Sequence, residues 1–361
     1  MTRVVVVGAG LAGSAAAWRL AAAGDDVTLV EASTPANSGG SSHGSARIFR
    51  HAYPDRFHAE LTVRALDGWH ELEAESGEPL LTVTGGLDFG RDRDLDGIAA
   101  SLASLGLPFE RLEADAARER FPHIAFRGPA VFHPGAGVID ADLAVRTMVD
   151  RAELAGATVL LDSPVLSVTH AVNGWNVHLA DRTLTADSVV LTVGAWLPGF
   201  LGGIEFPPLE VTQQQAFFFA YPTGVTEWPI FVHKGADNLY SLPGGYDVGG
   251  TALKIAEHDA RNVTTAQTRD GVVQPEARDR IVRWVSENLP GVDPTPIDET
   301  TCLYTSTPSE NFVIDNLDGL VIASPCSGHG AKFAPLIGTL ISEVVHGGSA
   351  PEPFRLASHL H

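Results

Sequence analysis

The sequence is poor in cysteine and in positive charge. Its 361 residues include two cysteines, Cys302 and Cys326, which are too few for a disulfide framework or a multi-cysteine zinc site. The histidines are scattered without the paired spacing of metal ligands, so we expect no metal site. The 24 lysines and arginines are outnumbered by 44 aspartates and glutamates, and a net charge of −20 disfavours nucleic acid and anionic membranes as partners.

Long apolar runs are also absent. No stretch reaches the ~20 apolar residues that a membrane helix requires. The run from Val4 to Ala17 could be mistaken for a signal peptide, but three glycines interrupt it and no basic segment of any length precedes it. We therefore expect a cytoplasmic protein. The length and the apolar content of 44% predict two globular domains with a substantial core.

Hydrophobic periodicity predicts alternating buried strands and helices. The predicted strands are Arg3–Val7, Asp26–Val30, Ser188–Val193, Glu210–Phe219, Leu239–Leu242 and Leu320–Ala323. The predicted helices are Leu11–Ala23, Phe57–Leu72, Asp142–Ala155, Pro275–Asn288 and a last one ending near His346. Residues 205–300 alternate and are rich in glycine and proline, which favours an antiparallel, substrate-facing domain. The fold class is thus α/β, with a discontinuous cofactor domain (1–85, 135–205, 306–361) and a substrate domain (86–134, 206–305).

The clearest motif is a G-x-G-x-x-G formed by Gly8, Gly10 and Gly13 between the first strand and the first helix. These glycines permit a tight turn, close approach of a pyrophosphate and close helix–strand packing. Glu31, which follows the second strand, can accept hydrogen bonds from ribose hydroxyls and would clash with a 2′-phosphate. The motif therefore predicts a dinucleotide site for NAD or FAD and disfavours NADP; the alternative is a structural glycine turn.

Two further segments allow both a functional and a structural interpretation. The Gly/Ser-rich segment 40–51 could wrap a bulky ligand and supply Arg47 and Arg50, or it could be a solvated loop. Cys302 could be a small core residue in a strand, or it could form a thioether link to a cofactor.

The remaining candidates are cationic or lie in a turn. The turn Gly328–Gly330 follows a buried strand, so its N–H groups could stabilise an anion. Taken alone, His329 fits a structural role and Lys332 fits an exposed surface position. Lys254 has apolar neighbours and would share one side with His258 in either a helix or a strand. On pattern alone it is a surface lysine.

Taken together, these segments resemble the family of monomeric sarcosine oxidase and N-methyl-L-tryptophan oxidase over nearly the whole chain. The most specific phrases are GSSHGSARIFRHAY at 40–53, CLYTSTPSENFVID at 302–315 and CSGHGAKF at 326–333. The resemblance implies FAD as the cofactor and a two-domain flavoprotein. Its FAD domain would be Rossmann-like, and its substrate domain would place an antiparallel sheet over the flavin. It also implies a monomer.

The resemblance implies an oxidase and assigns its residues. The family oxidises the C–N bond of secondary amino acids to an imine and reduces O₂ to hydrogen peroxide. Its carboxylate-binding pair falls on Arg50 and Lys332, its oxygen-activating lysine on Lys254 and its covalent flavin link on Cys302, whereas Cys326 is expected only to pack. The other positions that it implies are Tyr240, His258 and Tyr304 in the substrate pocket, and Ser42, His43, Arg47, Gly328, His329 and Gly330 at the flavin.

Two departures from the family pattern lie near the pocket. The chain is longer at 244–247, and Gln213–Gln215 occupy a segment where the family pattern has an arginine. The substrate therefore stays open between sarcosine, a bulkier N-methyl amino acid and a cyclic imino acid. The alternatives are a flavin dehydrogenase or demethylase that uses an electron carrier, and a non-catalytic flavin-binding protein. Lys254 argues against the first, and the joint presence of Arg50, Lys254 and Lys332 argues against the second.

Overall fold

A computed structural model describes residues 1–244, 252–258 and 262–360. Its helices are α1 (Leu11–Ala22), α2 (Arg56–Ser76), α3 (Leu95–Ser104), α4 (Ala114–Arg120), α5 (Ala141–Leu154), α6 (Pro275–Asn288) and α7 (Ala334–Val345). Its strands are β1 (Arg3–Val7), β2 (Asp26–Val30), β3 (Arg47–Phe49), β4 (Leu81–Val83), β5 (Gly86–Phe89), β6 (Glu110–Leu112), β7 (Ala130–His133), β8 (Gly137–Ile139), β9 (Thr158–Leu160), β10 (Ser167–Ala171), β11 (Gly174–His178), β12 (Thr183–Ala186), β13 (Ser188–Leu191), β14 (Glu210–Ala220), β15 (Ile230–His233), β16 (Leu239–Pro243), β17 (Ala252–Glu257), β18 (Asp298–Ser306), β19 (Val313–Leu317) and β20 (Leu320–Ser324). None of the helices in these ranges is both long and apolar enough to cross a membrane.

A six-stranded sheet joins both ends of the chain in the order β19-β20-β13-β1-β2-β9. All neighbours pair in parallel except β19, which is antiparallel to β20. The valines of β1 alternate between two cores, as a strand covered on both faces requires. Val4 and Val6 pack with α1, α5 and α7, whereas Val5 and Val7 pack with the antiparallel meander β10-β11-β12. This arrangement confirms the predicted α/β class.

An eight-stranded sheet forms the second layer in the order β18-β14-β17-β16-β15-β5-β7-β6. Its described pairings are antiparallel except for β15 with β5. One face carries Phe217, Phe219, Leu253 and Ile255, which pack with α6 in an apolar core. Because strand side chains alternate, the intervening residues emerge on the opposite face.

The elements predicted from periodicity lie where expected, with shifts of a few residues at their ends. The predicted strand 188–193 stops at Leu191 because Thr192 leaves the ladder and bonds to Val7 and Gly8. Lys254, which pattern alone left between helix and strand, lies in β17. The small sheet β3-β8-β4 was not predicted, since strands of three residues carry no periodicity. The boundaries between the two domains stay a prediction.

The packing of α7 on α1 depends on Gly338. A Cβ atom at this position would lie 2.4 Å from the carbonyl oxygen of Ala15 in α1, a backbone atom that cannot swing aside. Gly338→Ala should therefore lower the free energy of unfolding by about 1–3 kcal/mol, despite a gain of about 1 kcal/mol in helix propensity. Urea unfolding followed by circular dichroism measures this.

The matched control is Gly199→Ala, in the 3₁₀ helix Gly194–Phe200, where no atom lies within 4 Å of the added methyl group. We expect that change to stay within about 0.5 kcal/mol. Equal stability of the two variants would contradict the close approach of α1 and α7.

Candidate active site

A cavity of about 840 Å³ lies between the two large sheets and reaches from the loop after β1 to β18 and the segment before α7. Apart from Gly13, every site residue predicted from the sequence lines it. Their individual roles stay predictions, but the chain brings them to one place although they lie as far apart as Gly8 and Lys332.

The glycine loop lines one end of the cavity and packs closely against neighbouring residues. Gly8 has a φ of +97°, and a Cβ atom there would lie 2.8 Å from the carbonyl oxygen of Thr192. A Cβ atom at Gly10 would lie 2.9 Å from the hydroxyl of Ser42, and that hydroxyl accepts the N–H of Leu11 at 3.0 Å. Gly13 does not line the cavity because it packs against the carbonyl of Gly8.

Glu31 closes the same loop. Its buried carboxylate accepts the N–H of Ala9 at 2.7 Å and the N–H of Ser33 at 3.0 Å. It lines the cavity at the end of β2, where an acid can reach ribose hydroxyls. A tight glycine turn, a helix N-terminus and this acid together fit the ADP part of a dinucleotide.

Arg47 holds the segment 40–46 together. Its guanidinium group donates to the carbonyl oxygens of Ser41, His43 and Ala46. Burial, and then the charges of Arg47, Lys254 and Arg269, lower the pKa of His43 to about 4, so this ring is neutral at pH 7. The Nε2 atom of His43 is buried without a hydrogen-bond partner in the described part of the chain, which fits a bound ligand at this position.

The centre of the site is a pair of cations on the ring of Tyr53. The guanidinium carbon of Arg50 lies 4.5 Å from the ring centroid, and Nζ of Lys332 donates to the Tyr53 hydroxyl at 3.1 Å. Burial lowers the pKa of both Arg50 and Lys332, and Arg50 lowers that of Lys332 further. Across the described ranges no acidic side chain pairs with either cation. Buried positive charges of this kind fit a ligand that carries a carboxylate.

A buried ion pair fixes the backbone next to Arg50. The carbonyl oxygen of Ala52 accepts hydrogen bonds from Arg50 and from Arg93, the latter at 3.2 Å. Arg93 in turn pairs with Asp88 at 2.5 Å, and His133 contacts the same carboxylate at 3.2 Å. Burial alone would raise the pKa of Asp88, but Arg93 and His133 hold it below its usual value. Arg50 is thus positioned through Ala52 by a charge pair from the second sheet.

Strand alternation puts the substrate-facing candidates on one face of the eight-stranded sheet. Tyr240 lies opposite Ala256, and Lys254 and His258 lie two residues to either side of Ala256 on the same face. Cys302, half-buried in β18, also faces the cavity. This face meets the loop 40–46, where Nζ of Lys254 donates to the carbonyl oxygen of Ala46 at 3.3 Å.

Two tyrosines of this face are hydrogen-bonded to each other. Burial raises the pKa of Tyr240 to about 12 and that of Tyr304 well above its usual value, so both hydroxyls stay protonated. The ring of His258 lies 5.8 Å from that of Tyr304. These residues form a wall of aromatic rings next to Cys302 and Lys254.

The turn Gly328–Gly330 differs from its prediction. Its N–H groups were expected to stabilise an anion, but His329 and Gly330 donate to the carbonyl oxygen of Cys326, and Gly328 bonds to the Cys326 sulfur. The turn still lines the cavity. His329 supports the cation pair instead, since Nδ1 contacts the Tyr53 hydroxyl at 3.0 Å and its carbonyl oxygen accepts Nζ of Lys332 at 2.7 Å.

Of the two departures from the family pattern, the glutamines at 213–215 are described in full and the segment 244–247 only in part. Of the longer segment 244–247, residues 245–247 lie outside the described residues. Gln213 bonds to Asp270 and Val272, and Gln215 accepts the N–H of Gln274. These two glutamines therefore brace β14 against the segment that precedes α6, and Gln214 lies at the cavity.

Four contributors to the site were not singled out from the sequence: Tyr53, Asp88, Arg93 and Thr192. Tyr53 stands inside the specific phrase 40–53 and could have been found there. Asp88 and Arg93 stand in the segment GLDFGRDRD, whose charges appear solvent-exposed because their buried pairing is not visible in the sequence.

Comparison with known proteins agrees with this geometry. The family described as FAD dependent oxidoreductase matches residues 3–344. The chain is 31% identical to monomeric sarcosine oxidase of Streptomyces avermitilis (98% of this chain, 96% of the relative). It is also 31% identical to N-methyl-L-tryptophan oxidase of Yersinia pestis (98% and 97%). The solved structure of NikD, an unusual amino acid oxidase essential for nikkomycin biosynthesis, superposes with a TM-score of 0.86 at 25% identity, covering 100% of this chain and 97% of that one. The glycine loop, Glu31 and the His43 nitrogen, which has no partner among the described residues, fit FAD. The chain belongs to the FAD-dependent oxidoreductase family.

Proposed function

We propose that the protein oxidises the C–N bond of a secondary amino acid, either N-methylated or cyclic, to an imine, with O₂ reduced to hydrogen peroxide. The observation that carries the proposal is the pair of buried cations, Arg50 and Lys332, which both contact Tyr53. The names of the relatives agree with it, since sarcosine and N-methyl-L-tryptophan are both secondary amines with a carboxylate. We further propose that the protein acts as a cytoplasmic monomer.

In this proposal Arg50 and Lys332 bind the substrate carboxylate. A guanidinium group can grip a carboxylate through two parallel N–H bonds, which fixes its orientation as well as its charge. Tyr53 and Ala52 hold the two cations in place, so the ligand enters a site whose geometry already exists. A fixed carboxylate restricts the position of the amine and its C–H bond relative to the cofactor.

When bound, FAD would supply the electron acceptor for the C–N unit of the substrate and the reduced group that reacts with O₂. Around that unit, Tyr240, Tyr304 and His258 form the wall that selects the nitrogen substituent. The raised pKa of each tyrosine keeps its hydroxyl neutral, so neither adds a negative charge next to the substrate. Water then hydrolyses the imine, and for an N-methyl substrate the products are an aldehyde and an amine.

Lys254 is proposed to assist the reaction with O₂. The residue is only 8% exposed, and its ammonium nitrogen lies 5.8 Å from the ring centroid of Phe218 and donates to the carbonyl oxygen of Ala46. A cation in such a dry position strongly stabilises the negative charge that O₂ acquires with its first electron. Tyr240 and His258 lie on the same face of the sheet, so oxygen would meet this lysine next to the substrate.

Cys302 is proposed to attach the flavin covalently at its 8α-methyl carbon. The residue is half-buried at the cavity wall, whereas burial raises the pKa of Cys326, whose sulfur is already hydrogen-bonded to the N–H of Thr305 at 3.3 Å. Of the two thiols, Cys302 is therefore better placed to react. Formation of the thioether is a two-electron oxidation in which O₂ would be the final acceptor.

The proposed function is tested by mixing the purified holoenzyme with N-methyl and cyclic amino acids without oxygen and following flavin absorbance. At least one acid, such as sarcosine or L-proline, should bleach the flavin, whereas the carboxylate-free analogues dimethylamine and pyrrolidine should not. Turnover with O₂ as sole acceptor should then yield peroxide. Bleaching without peroxide on turnover would favour a dehydrogenase, and a flavin that no amine reduces would refute the proposal.

Lys254→Met should separate the two halves of the reaction. Loss of the buried cation removes the stabilisation of reduced oxygen, so reoxidation should slow by about 100-fold or more while anaerobic reduction by substrate changes little. Stopped-flow absorbance measures both rates. Lys254→Arg, which keeps the charge, is the control and should retain most of the oxygen reactivity; equal slowing of both halves by the methionine variant would assign the residue another role.

Cys302→Ala should leave the flavin bound but extractable. Acid precipitation of this variant should release flavin into the supernatant, because no thioether remains. The control is Cys326→Ala, in which the flavin should stay with the precipitated protein. Flavin that remains attached in Cys302→Ala would place the link on another residue.

A further inference from the structure

The chain contains only three lysines among its 24 cationic residues, Lys234, Lys254 and Lys332, and all three line the cavity. The remaining 21 cations are arginines, and of the 20 that lie in the described residues only Arg47, Arg50 and Arg93 line the cavity. Two of the lysines have proposed roles with the substrate carboxylate and with O₂. Lys234 has none so far, although it shares their location.

Lys234 extends from a fixed backbone. It directly follows β15, its N–H donates to the carbonyl of Phe89 at 3.1 Å, and its own carbonyl accepts the N–H of Asp92 at 3.1 Å. Gly90 lies so close that a Cβ atom there would be 2.1 Å from the Lys234 carbonyl oxygen. These backbone contacts therefore fix the point from which the Lys234 side chain extends.

The side chain lies on the substrate face of the eight-stranded sheet. Val232 lies opposite Tyr240 in the pairing of β15 with β16, and Lys234 is two residues further along. Since strand side chains alternate, Lys234 emerges on the same face as Val232 and Tyr240, and all three line the cavity. It therefore faces the same space as Arg50 and the aromatic wall.

The charges around Lys234 leave it without a dedicated anion. Burial, followed by the positive charges of Arg93 and Arg50, lowers its pKa, and Glu310 and Asp88 oppose this shift only in part. Asp88 is committed to Arg93 at 2.5 Å and to His133. Within the described residues no carboxylate forms an ion pair with Lys234.

The whole cavity shows the same excess. Its described lining carries three acidic side chains, Glu31, Asp55 and Glu310, against six cations, which are Arg47, Arg50, Arg93, Lys234, Lys254 and Lys332. This reverses the balance of the chain, in which acids outnumber cations by 44 to 24. The pyrophosphate of FAD would compensate part of this excess at the glycine loop, and one substrate carboxylate would satisfy Arg50 and Lys332, so a further negative charge fits next to Lys234.

We infer that the substrate is a dicarboxylic secondary amino acid, whose first carboxylate binds Arg50 and Lys332 and whose second binds Lys234. This inference rests on the proposed function and narrows its substrate class. Iminodiacetate and N-methyl-L-aspartate represent the two ways of attaching the second carboxylate, on the nitrogen substituent and on the α-carbon.

The first test compares kcat/KM for these two acids with the values for sarcosine and N-methyl-L-alanine. We expect the better dicarboxylate to exceed its monocarboxylate partner at least about 10-fold, as one charge-assisted hydrogen bond provides. Lys234→Met should remove that advantage and leave the monocarboxylates within about two-fold, and Lys234→Arg should restore most of it. A wild-type enzyme without the preference, or equal losses for both classes, would overturn the inference.

The matched control is Arg91→Met. Arg91 lies in the loop after β5, next to Asp92, whose N–H bonds to the carbonyl of Lys234. It is exposed and lies outside the cavity lining. Its removal changes the net charge by the same amount as Lys234→Met but should leave the dicarboxylate preference intact. A loss of preference in this control would indicate a long-range effect of charge and would overturn the direct contact.

A binding measurement keeps the inference independent of turnover. Glutarate and butyrate are the unreactive carbon analogues of iminodiacetate and sarcosine, and flavin absorbance reports their binding to the holoenzyme. Glutarate should bind at least about 10-fold more tightly, and Lys234→Met should abolish the difference. If glutarate shows this preference but no amine reduces the flavin, the proposed reaction fails while the second carboxylate site stands. If amines reduce the flavin but glutarate binds no more tightly than butyrate, the proposed reaction stands and only the second carboxylate site fails.

Discussion

Arg50 and Lys332 bring two positive charges into the interior, where both contact Tyr53. Burying one uncompensated charge is costly, and burying two side by side adds their mutual repulsion. Much of the surrounding structure serves to hold them. The carbonyl oxygen of His329 accepts a hydrogen bond from Nζ of Lys332, and the ring of His329 contacts the Tyr53 hydroxyl. Arg93 and Arg50 both donate to the carbonyl oxygen of Ala52. A carboxylate bound between the two cations would relieve this repulsion.

The two large sheets contribute different kinds of side chain to the cavity. The six-stranded sheet presents the glycine loop and Glu31 at the carboxyl ends of its strands, where parallel sheets bind nucleotides. The eight-stranded sheet presents one face of alternating side chains and buries the other against α6. Because the backbone ladder sets the spacing of strand residues, it fixes where Tyr240, Lys254 and Cys302 leave that face relative to one another.

The sequence predicts the first strand–turn–helix unit well because its signals are local. The four valines of β1, the three glycines of the motif and Glu31 all lie within the first thirty-one residues, and each has a backbone or ligand reason to be there. The substrate side is harder. Lys254 could not be placed in a helix or a strand by pattern alone, and its neighbour across the strands, Phe218, is far away in sequence. Asp88 and Arg93 appear as surface charges until the fold removes them from water. The amide groups of Gly328–Gly330 appear available until Cys326 is seen to accept them.

The position of β1 has a consequence for how the protein matures. This first strand is flanked by β2 and β13, and β20 lies beyond β13, so the central sheet is complete only when residues near 320 have left the ribosome. Contacts between residues so far apart in sequence form slowly. Until β13 and β20 have been synthesised, β1 and β2 have unpaired strand edges and exposed apolar side chains. The hydroxyl of Ser41, which donates to the carbonyl of Leu303, joins the loop and the far strand only after synthesis of both. Because residues from both ends of the chain, such as Gly8 and Lys332, line the cavity, the cofactor site is complete only after nearly the whole chain has been synthesised.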